Sequence, residues 1–499
     1  MTYDAIFINS HPVENTKVRG LGPHLLANEL RRHGYTAMVL DYIEHWTLEE
    51  YNTAMEKFVG KNTRLIGFSL TWAYAGLGSE TKVGLGIYYD KDISGDTLVG
   101  NYLVNGNMNR MLSMVPRFND TEPPKVMVGG SKARTIEKMF DERVDHVMAG
   151  YSETQIIDLM EGKELPRIID HDTKAHCEHT GYDFAVAKTQ WAKETFLSSD
   201  EIVPIECSRG CRFKCKFCNF PLIGMKHVAA YTKTKETFRD ELVRNYENFG
   251  ITKYSIQDDT FNDRIEKVRL FAEVVDSLPF DIKFWCYLRA DMLVTQPEQK
   301  ELLHQMGLCA TWFGIETYCR KAGQVVGKGT DPEKIKEMLY EVRDMWKGDV
   351  FIQQGYIVGL PHETKKDVAE SVEWLSKDTC PVDNALMIPL FIAPKEVQKQ
   401  YHINYLSEFD RTYQMYGYEF PDAHKAPETP VERAAEISMW TKNDDTDINS
   451  FQEAYMLTQK YQPILDKKKP IYPVEDFYES ARQNFTNLRE TYITPLLNL

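Results

Sequence analysis

Residues 202–220 read IVPIECSRGCRFKCKFCNF, and the rest of the chain is organised around this stretch. The apolar run 202–205 predicts a short buried strand. The loop behind it holds Cys211, Cys215 and Cys218 in a C-x-x-x-C-x-x-C array. The chain has 9 cysteines, and chance would place about 0.003 such arrays in it. Three thiolates this close suit an iron–sulfur cluster better than a closed tetrahedral zinc site. Cys207 lacks the final short spacing and is left out of the array.

The composition predicts a globular protein of two or three domains. The 499 residues include 59 Lys and Arg against 74 Asp and Glu, a net charge of −15. Such a charge disfavours binding to bulk nucleic acid. No apolar run approaches the length of a membrane span, and the first residues carry no secretion signal. We therefore expect a cytoplasmic protein with no membrane partner, in a compartment that keeps thiols reduced.

Residues 3–162 alternate apolar strands with helical segments, which predicts a parallel, doubly wound α/β sheet. The predicted strands are 5–8, 37–40, 65–68, 125–128 and 146–148, and a helix is predicted over 21–32. Ligands bind beyond the carboxyl ends of the strands in such sheets. The candidate residues at those ends are His11, Ser69, Leu70, Thr71, Gly129, Gly130, Ser131, Gly150, Tyr151 and Glu153.

From residue 201 onward the chain repeats a strand–helix pattern, which predicts β/α architecture with functional residues after the strands. The further strands are predicted at 253–257, 283–288, 311–315 and 351–358. Asp258 and Asp259 follow the first of these and are candidates to orient a substrate or take up a proton. One of the two also suits a helix cap.

These motifs resemble the radical S-adenosylmethionine (SAM) superfamily. The resemblance rests on the Arg-Gly-Cys loop, the Asp-Asp-x-Phe after the second strand, the Gly-Ile-Glu of the fourth and the Gly-Leu-Pro-x-Glu-Thr of the fifth. It implies a partial (β/α)6 barrel in which Cys211, Cys215 and Cys218 hold a 4Fe–4S cluster. It further implies reductive cleavage of SAM to a 5′-deoxyadenosyl radical, fed by an external electron donor of the flavodoxin or ferredoxin type.

The same resemblance assigns residues to the SAM molecule. Phe217 would flank the adenine, Glu316 would accept from the ribose and Arg289 would pair with the carboxylate. Gly355 and Gly359 would let the backbone approach the cofactor. Each of these assignments has a purely structural alternative. The alternatives are core packing for Phe217, a buried ion pair for Arg289 or Glu316, and turn formation for the glycines.

Residues 1–165 resemble the cobalamin-binding domain that precedes the barrel in one radical SAM subgroup, through the Gly-Gly turn and the Gly-x-x-Glu helix start. The resemblance implies that the strand-end residues given above would contact cobalamin. His11 stands where an axial ligand would be, but Asn9 and Glu14 replace the Asp and Gly of D-x-H-x-x-G. A ligating histidine usually needs a partner of that kind. Both a cobalt ligand and an ordinary loop histidine therefore stay open for His11.

The remaining segments complete the predicted domain order. Residues 166–200 form a polar linker, 201–390 the barrel, and 391–499 a mostly helical region that closes it. The linker contains four residues whose spacing matches no familiar zinc site, namely His171, His176, Cys177 and His179.

Three functions follow from these features. The first is cobalamin-dependent methylation of an unactivated carbon in a small-molecule or single-nucleotide substrate. The second is a cobalamin-independent rearrangement, cyclisation or elimination, with the first domain vestigial or substrate-binding. The third is a non-enzymatic iron–sulfur sensor or assembly protein. Because Cys177 is the first cysteine of the chain, methylthiotransfer, which needs three cysteines in the first domain, is excluded.

Overall fold

The computed structural model describes most of the chain. The described residues are 1–10, 17–69, 107–130, 143–170, 182–218, 231–395, 407–420, 439–444, 446–469, 471, 477 and 487–499. The residues named above that lie outside this part are His11, Glu14, Leu70, Thr71, Ser131, His171, His176, Cys177 and His179. Within the described ranges, no helix combines the length and apolar character needed to cross a bilayer.

The first domain is a six-stranded parallel sheet in the order β2-β1-β3-β4-β5-β6. Its strands are β1 (Ala5–Ile8), β2 (Ala37–Leu40), β3 (Leu65–Ser69), β4 (Lys125–Gly129), β5 (His146–Ala149) and β6 (Ile168–Asp170). Its helices are α1 (Leu21–Arg32), α2 (Leu48–Phe58), α3 (Asn107–Ser113) and α4 (Glu153–Met160). Alternate residues of β1 enter separate apolar cores, Ile6 and Ile8 in one and Ala5 and Phe7 in the other. This alternation is typical of a parallel sheet covered on both faces.

The sixth strand lies in the segment predicted to be a polar linker. Ile168 and Ile169 of β6 pair with Val147 and Met148 of β5, and Ile169 is buried. Two isoleucines between polar residues make too short an apolar run to stand out in the sequence. Residues 168–170 of the segment predicted as a linker therefore belong to the sheet of the first domain.

The second domain is another six-stranded parallel sheet, in the order β12-β11-β10-β9-β8-β7. Its strands are β7 (Val203–Ile205), β8 (Lys253–Ile256), β9 (Lys283–Leu288), β10 (Leu308–Glu316), β11 (Phe351–Val358) and β12 (Asn384–Pro389). Its helices are α5 (Lys235–Phe249), α6 (Ile265–Asp276), α7 (Ala290–Thr295), α8 (Glu298–Gln305), α9 (Arg320–Val326), α10 (Pro332–Met345) and α11 (Lys365–Leu375). Consecutive strands are neighbours throughout, and β7 and β12 form open edges. The predicted fold class, a doubly wound sheet followed by a partial (β/α)6 barrel, is confirmed.

The C-terminal region contacts both domains. It contains α12 (Glu408–Thr412), the antiparallel pair β13 (Tyr418–Glu419) and β14 (Thr441–Lys442), α13 (Phe451–Leu465), a π-helical turn (Arg489–Ile493) and α14 (Thr494–Leu497). Short 3-10 turns lie at Ile43–His45, Lys193–Thr195 and Tyr413–Tyr416. Gln462 of α13 bonds to the Ala385 carbonyl (3.1 Å) and the Met387 N–H (2.8 Å) of β12. Tyr492 and Leu496 instead enter the core of the first domain. Residues 451–465 therefore cover the barrel, whereas residues 489–497 bind the first domain.

Candidate functional site

Asp258 fixes the start of the loop that carries the three array cysteines through hydrogen bonds. Oδ1 of Asp258 accepts hydrogen bonds from the N–H groups of Cys207 (2.8 Å) and Ser208 (2.9 Å), and Oδ2 accepts one from the Ser208 hydroxyl (2.5 Å). Nζ of Lys267 lies 3.5 Å from Oδ2. Both oxygens are thus occupied in a buried environment. This position does not support the prediction that Asp258 acts on a substrate, and it makes Asp258 the anchor of the loop.

Cys207, which the array left out, belongs to the apolar core. Its side chain is fully buried together with Ile205 and Phe238. Burial, together with the charge of Asp258, raises the pKa of the Cys207 thiol well above its usual range. A neutral buried thiol is a poor metal ligand, so its position agrees with its omission from the array.

The array cysteines line a cavity of about 160 Å³ at the carboxyl ends of the barrel strands. Three of the five residues predicted to bind SAM, Phe217, Arg289 and Glu316, line the same cavity. Its other lining residues are Phe213, Asp259, Thr260, Tyr287, Leu288, Trp312, Gly314 and Lys328. In the described part of the chain, no three His, Cys, Asp or Glu side chains converge as they would around a single metal ion. A 4Fe–4S cluster instead takes each thiolate at a different iron.

Arg289 points its guanidinium at one of the array cysteines. Nε and Nη2 form a fork on Asp291 (2.9 and 2.6 Å), while Nη1 lies 3.0 Å from Sγ of Cys215. Nη2 also donates to the Gly327 carbonyl, at 3.1 Å. Burial opposes the charge, but the hydrogen bonds and charge of Asp291 outweigh it, so the pKa of Arg289 is raised. The guanidinium fork that the sequence assigned to the SAM carboxylate is occupied by Asp291 in this structure.

Glu316 ends β10 in a left-handed conformation, with φ 70°. A register shift between Gly314 and Glu316 accompanies this conformation, and the resulting bulge turns the carboxylate toward the cavity. Burial raises the pKa of Glu316, against the opposing charge of Lys328. Nζ of Lys328 donates to the Gly314 carbonyl (2.6 Å) and lies 3.7 Å from Oε1 of Glu316. Sequence reasoning missed Lys328, which lies in no motif; its position just after Gly327, which ends α9, was the only signal.

The two glycines predicted to approach SAM differ in their surroundings. A Cβ on Gly355 would lie 3.3 Å from Oε2 of Glu316 and 3.4 Å from Nε1 of Trp312, two residues that line the cavity, whereas Gly355 itself does not line it. Gly359 has φ 95°, and a Cβ there would lie 2.8 Å from the ring of Trp440. The C-terminal region thus leaves no room for a side chain at Gly359. This position does not support the predicted contact with SAM.

A second cavity, of about 250 Å³, opens at the carboxyl ends of the first sheet. All six described candidates from that sheet line it: Ser69, Gly129, Gly130, Gly150, Tyr151 and Glu153. Phe7, Gly67 and Met127 also line it, and one side is formed by residues at the start of α1, namely Gly20, Leu21, Gly22, Pro23, Leu25 and Leu26. Glu206, Gln257 and Asp259 of the barrel also line it. The cavity therefore lies between the two domains.

Asp259 lines both cavities. Asp259 keeps some solvent-accessible surface but lies deep enough to be desolvated, whereas its neighbour Asp258 is fully buried. Burial, with the charges of Asp258 and Glu206 adding, raises the pKa of Asp259 to about 7. Such a carboxyl exchanges a proton near neutral pH, as a general acid or base must.

Arg209, the Arg of the Arg-Gly-Cys loop, joins the cluster loop to the second cavity. Its guanidinium pairs with Glu206 in the same loop (2.9 Å) and with Glu153 of α4 (2.6 Å). It also stacks on Tyr151 and Phe184, 4.0 and 4.7 Å from the ring centroids. Arg209 is 1% exposed, so these contacts are desolvated and the loop is tied directly to the wall of the cavity.

Asn9, which replaces the aspartate of D-x-H-x-x-G, forms hydrogen bonds within the first domain. Nδ2 of Asn9 donates to the Gly20 carbonyl (2.8 Å) and to Oδ1 of Asp41 (2.6 Å). Asp41 is held in turn by Arg19 (2.5 Å) and His24 (3.0 Å). Asn9 therefore has structural partners that are independent of His11.

The chain is similar to several known proteins. Residues 205–375 match the Radical SAM superfamily. A 171-residue segment is 25% identical to the "Uncharacterized methyltransferase PH0819" of Pyrococcus horikoshii, covering 34% of this chain and 36% of that protein. The chain thus spans about a third of the length of this curated relative.

Two solved structures share the whole architecture. The radical SAM methyltransferase TsrM from Kitasatospora setae, solved with tryptophan substrate and a SAM analogue, superposes with a TM-score of 0.59 at 13% identity, over 86% of this chain and 82% of that one. The cobalamin-dependent SAM radical enzyme OxsB, solved with aqua-cobalamin and SAM, gives a TM-score of 0.55 at 14% identity, over 100% and 72%. At these identities the similarity establishes the fold.

Proposed function

This chain carries a radical SAM domain over residues 205–375, and from that premise we propose that it is a cobalamin-dependent enzyme that methylates an unactivated carbon. The family match confirms the predicted 4Fe–4S cluster and SAM as cofactors. When bound, these supply a 5′-deoxyadenosyl radical that abstracts hydrogen from the substrate. The electron comes from an external one-electron donor of the flavodoxin or ferredoxin type.

The residues of the first cavity fit the cluster and SAM. Cys211, Cys215 and Cys218 would hold the cluster, because they offer the three soft thiolate donors that it needs. Glu316 and Lys328 offer an acceptor and a cation to the polar groups of SAM, since the fork of Arg289 is occupied. Phe217, which precedes Cys218 in the sequence, adds an apolar side chain to the lining of this cavity.

The residues of the second cavity fit part of a cobalamin, which when bound supplies a transferable methyl group. The cavity is smaller than the roughly 300–1,000 Å³ occupied by drug-sized ligands, so the described walls would enclose one portion of so large a cofactor. Gly129 carries the fit, because a Cβ there would meet other atoms only at 3.7 Å or beyond. The backbone at this strand end therefore lines the cavity directly, and a Cβ added there would make ordinary van der Waals contact with Met127 and Met148 without displacing them.

Asp259 is the observation that carries the proposal. A methyl donor and a hydrogen-abstracting radical must act on one substrate, so their sites must adjoin. One side chain forms a wall of both cavities, which meets this requirement. With its pKa raised to about 7, Asp259 can also hold or release a proton beside the reacting carbon.

Corrinoid retention tests the proposal. The anaerobically reconstituted protein is incubated with hydroxocobalamin and passed through a desalting column, and its visible corrinoid bands are compared with 5′-deoxyadenosine formation from SAM under strong reductant. We expect the wild type to do both. Gly129→Val fills the second cavity and should lose the corrinoid while still cleaving SAM. Gly329→Val, at an exposed glycine whose Cβ would also meet atoms only at 3.8 Å, is the matched control and should change neither.

The position of Asn9 favours a second candidate. Asn9 presents a neutral amide where the motif has an aspartate, and its Nδ2 is bonded to Gly20 and Asp41, so it offers no carboxylate to a cobalt-ligating His11. A cobalamin-independent radical rearrangement, cyclisation or elimination is therefore the alternative. A wild-type protein that cleaves SAM but retains no corrinoid would favour it over methylation.

A further inference from the structure

We infer that Arg289 tunes the reduction potential of the cluster through a hydrogen bond from Nη1 to Sγ of Cys215. The inference rests on the cluster of the proposed function and is independent of cobalamin. Nη1 lies 3.0 Å from the sulfur, within the range of an N–H···S bond. Arg289 is thus a positioning residue that acts through a ligand of the cluster.

Contacts on several sides fix the orientation of the Arg289 guanidinium. The fork on Asp291 sets its plane, and Phe213 stacks on it with the ring centroid 3.8 Å from Cζ. The backbone of Arg289 is held as well: its N–H donates to Oδ1 of Asn262 (2.7 Å), and its carbonyl accepts from Nδ2 of Asn262 (3.0 Å). Asn262 is fully buried. Little freedom remains for Nη1 to point away from Cys215.

The electrostatic consequence follows from the charge of the reduced cluster. One-electron reduction, with the electron taken from the external donor, adds a negative charge that is shared with the ligating sulfurs. A hydrogen bond to a sulfur stabilises that charge and raises the potential. The carboxylate of Asp291 cancels much of the long-range effect of the Arg289 charge, which leaves the directed N–H as the main contribution. Asp291 itself opposes reduction.

This arrangement predicts opposite shifts for two variants. Lys cannot form the fork on Asp291 and also reach Cys215, so Arg289→Lys should lower the potential. Asp291→Asn keeps an acceptor for the guanidinium but removes the opposing charge, so it should raise the potential. Arg269→Lys changes an exposed Arg–carboxylate fork, with Glu298, and is the matched control.

The measurement is a potentiometric titration of the reconstituted cluster followed by electron paramagnetic resonance, with iron counted per chain. We expect each of the two variants to change the equilibrium constant for reduction at least tenfold, in opposite directions, which is 59 mV for one electron. Shifts in the same direction, or smaller than tenfold in both, would overturn the inference. If Arg289→Lys binds no iron, the test rests on Asp291→Asn alone. An unchanged or lowered potential in that variant would then overturn the inference. A wild type that holds a cluster but no corrinoid would contradict the methylation proposal and leave this test intact.

Discussion

Nη2 of Arg209 donates a 2.6 Å hydrogen bond to Oε1 of Glu153, across the boundary between the two domains. Arg209 lies two residues before the first array cysteine, and Glu153 begins α4 beside the second cavity. A buried ion pair therefore joins the loop of the array to the wall of the second cavity. A second carboxylate, Glu206, shares the same guanidinium.

We expect Arg209→Met to lower the free energy of unfolding by about 3–5 kcal/mol, because it leaves two buried carboxylates without their cation. Glu153→Gln should cost less, because Glu206 still pairs with the arginine. Urea unfolding followed by tryptophan fluorescence measures both. The control is Arg320→Met, which removes an exposed pair with Asp331 and should cost about 0–1 kcal/mol. Equal losses for Arg209→Met and the control would show that the pair does not bind the domains together.

Asp258 gives a prediction about cluster assembly. Asp258→Ala leaves the buried N–H groups of Cys207 and Ser208 without an acceptor, at about 1–3 kcal/mol for each. We expect the loop to lose its conformation and the protein to bind less iron after reconstitution. Asp258→Asn keeps one oxygen for the two N–H groups and should retain most of the iron. Equal iron content in Asp258→Ala and the wild type would contradict the anchoring role.

The sequence predicted most strands of the two sheets and several residues that line each cavity, but it missed β6 and β12 and did not separate Asp258 from Asp259. Both follow β8, and period-two alternation places them on opposite sides. Which side faces the cavities depends on where the loop after β7 lies, and that position is set by long-range hydrogen bonds. The motif alone therefore assigned one role to two residues with different surroundings.

Arg289 and Gly359 show the same limit. Their motifs predict that they lie near the cofactor, yet their partners come from elsewhere in the chain. The fork of Arg289 is filled by Asp291, only two residues away, and Gly359 is constrained by Trp440, 81 residues later. The sequence shows Asp291 close to Arg289, so this acceptor can be anticipated. It gives no sign that Trp440 contacts Gly359.

The raised pKa of Asp259 predicts how stability depends on pH. Because its pKa is about 7 in the folded protein and about 4 when unfolded, the folded state binds more protons between these values. Its contribution to stability is therefore complete below pH 4 and is lost as the pH rises through 7. Asp259→Asn removes this dependence. We expect the variant to become more stable than the wild type, by a growing margin, between pH 4 and pH 7.

Unfolding midpoints at a series of pH values measure this margin. Glu273→Gln, at an exposed carboxylate far from the cavities, is the control and should show no such growing margin. A constant difference between Asp259→Asn and the wild type over the whole range would contradict the raised pKa. If Asp259 also handles a proton in the reaction, the rate of product formation should show an inflection near pH 7 that the variant lacks.

Gly355 and Gly359 carry the last prediction, because the same substitution should act on different properties at the two positions. At Gly359 the positive φ and the approach of Trp440 to 2.8 Å leave no room for a Cβ, so Gly359→Ala should lower the melting temperature. At Gly355 the nearest atoms are Oε2 of Glu316 and Nε1 of Trp312, at 3.3 and 3.4 Å, and both residues line the cavity that also contains the array cysteines. Gly355→Ala should therefore weaken SAM binding, measured by equilibrium dialysis, with little change in melting temperature. A weaker SAM affinity in Gly359→Ala at unchanged stability would instead restore Gly359 to the cofactor site, because strain against Trp440 cannot act on SAM without first loosening the fold.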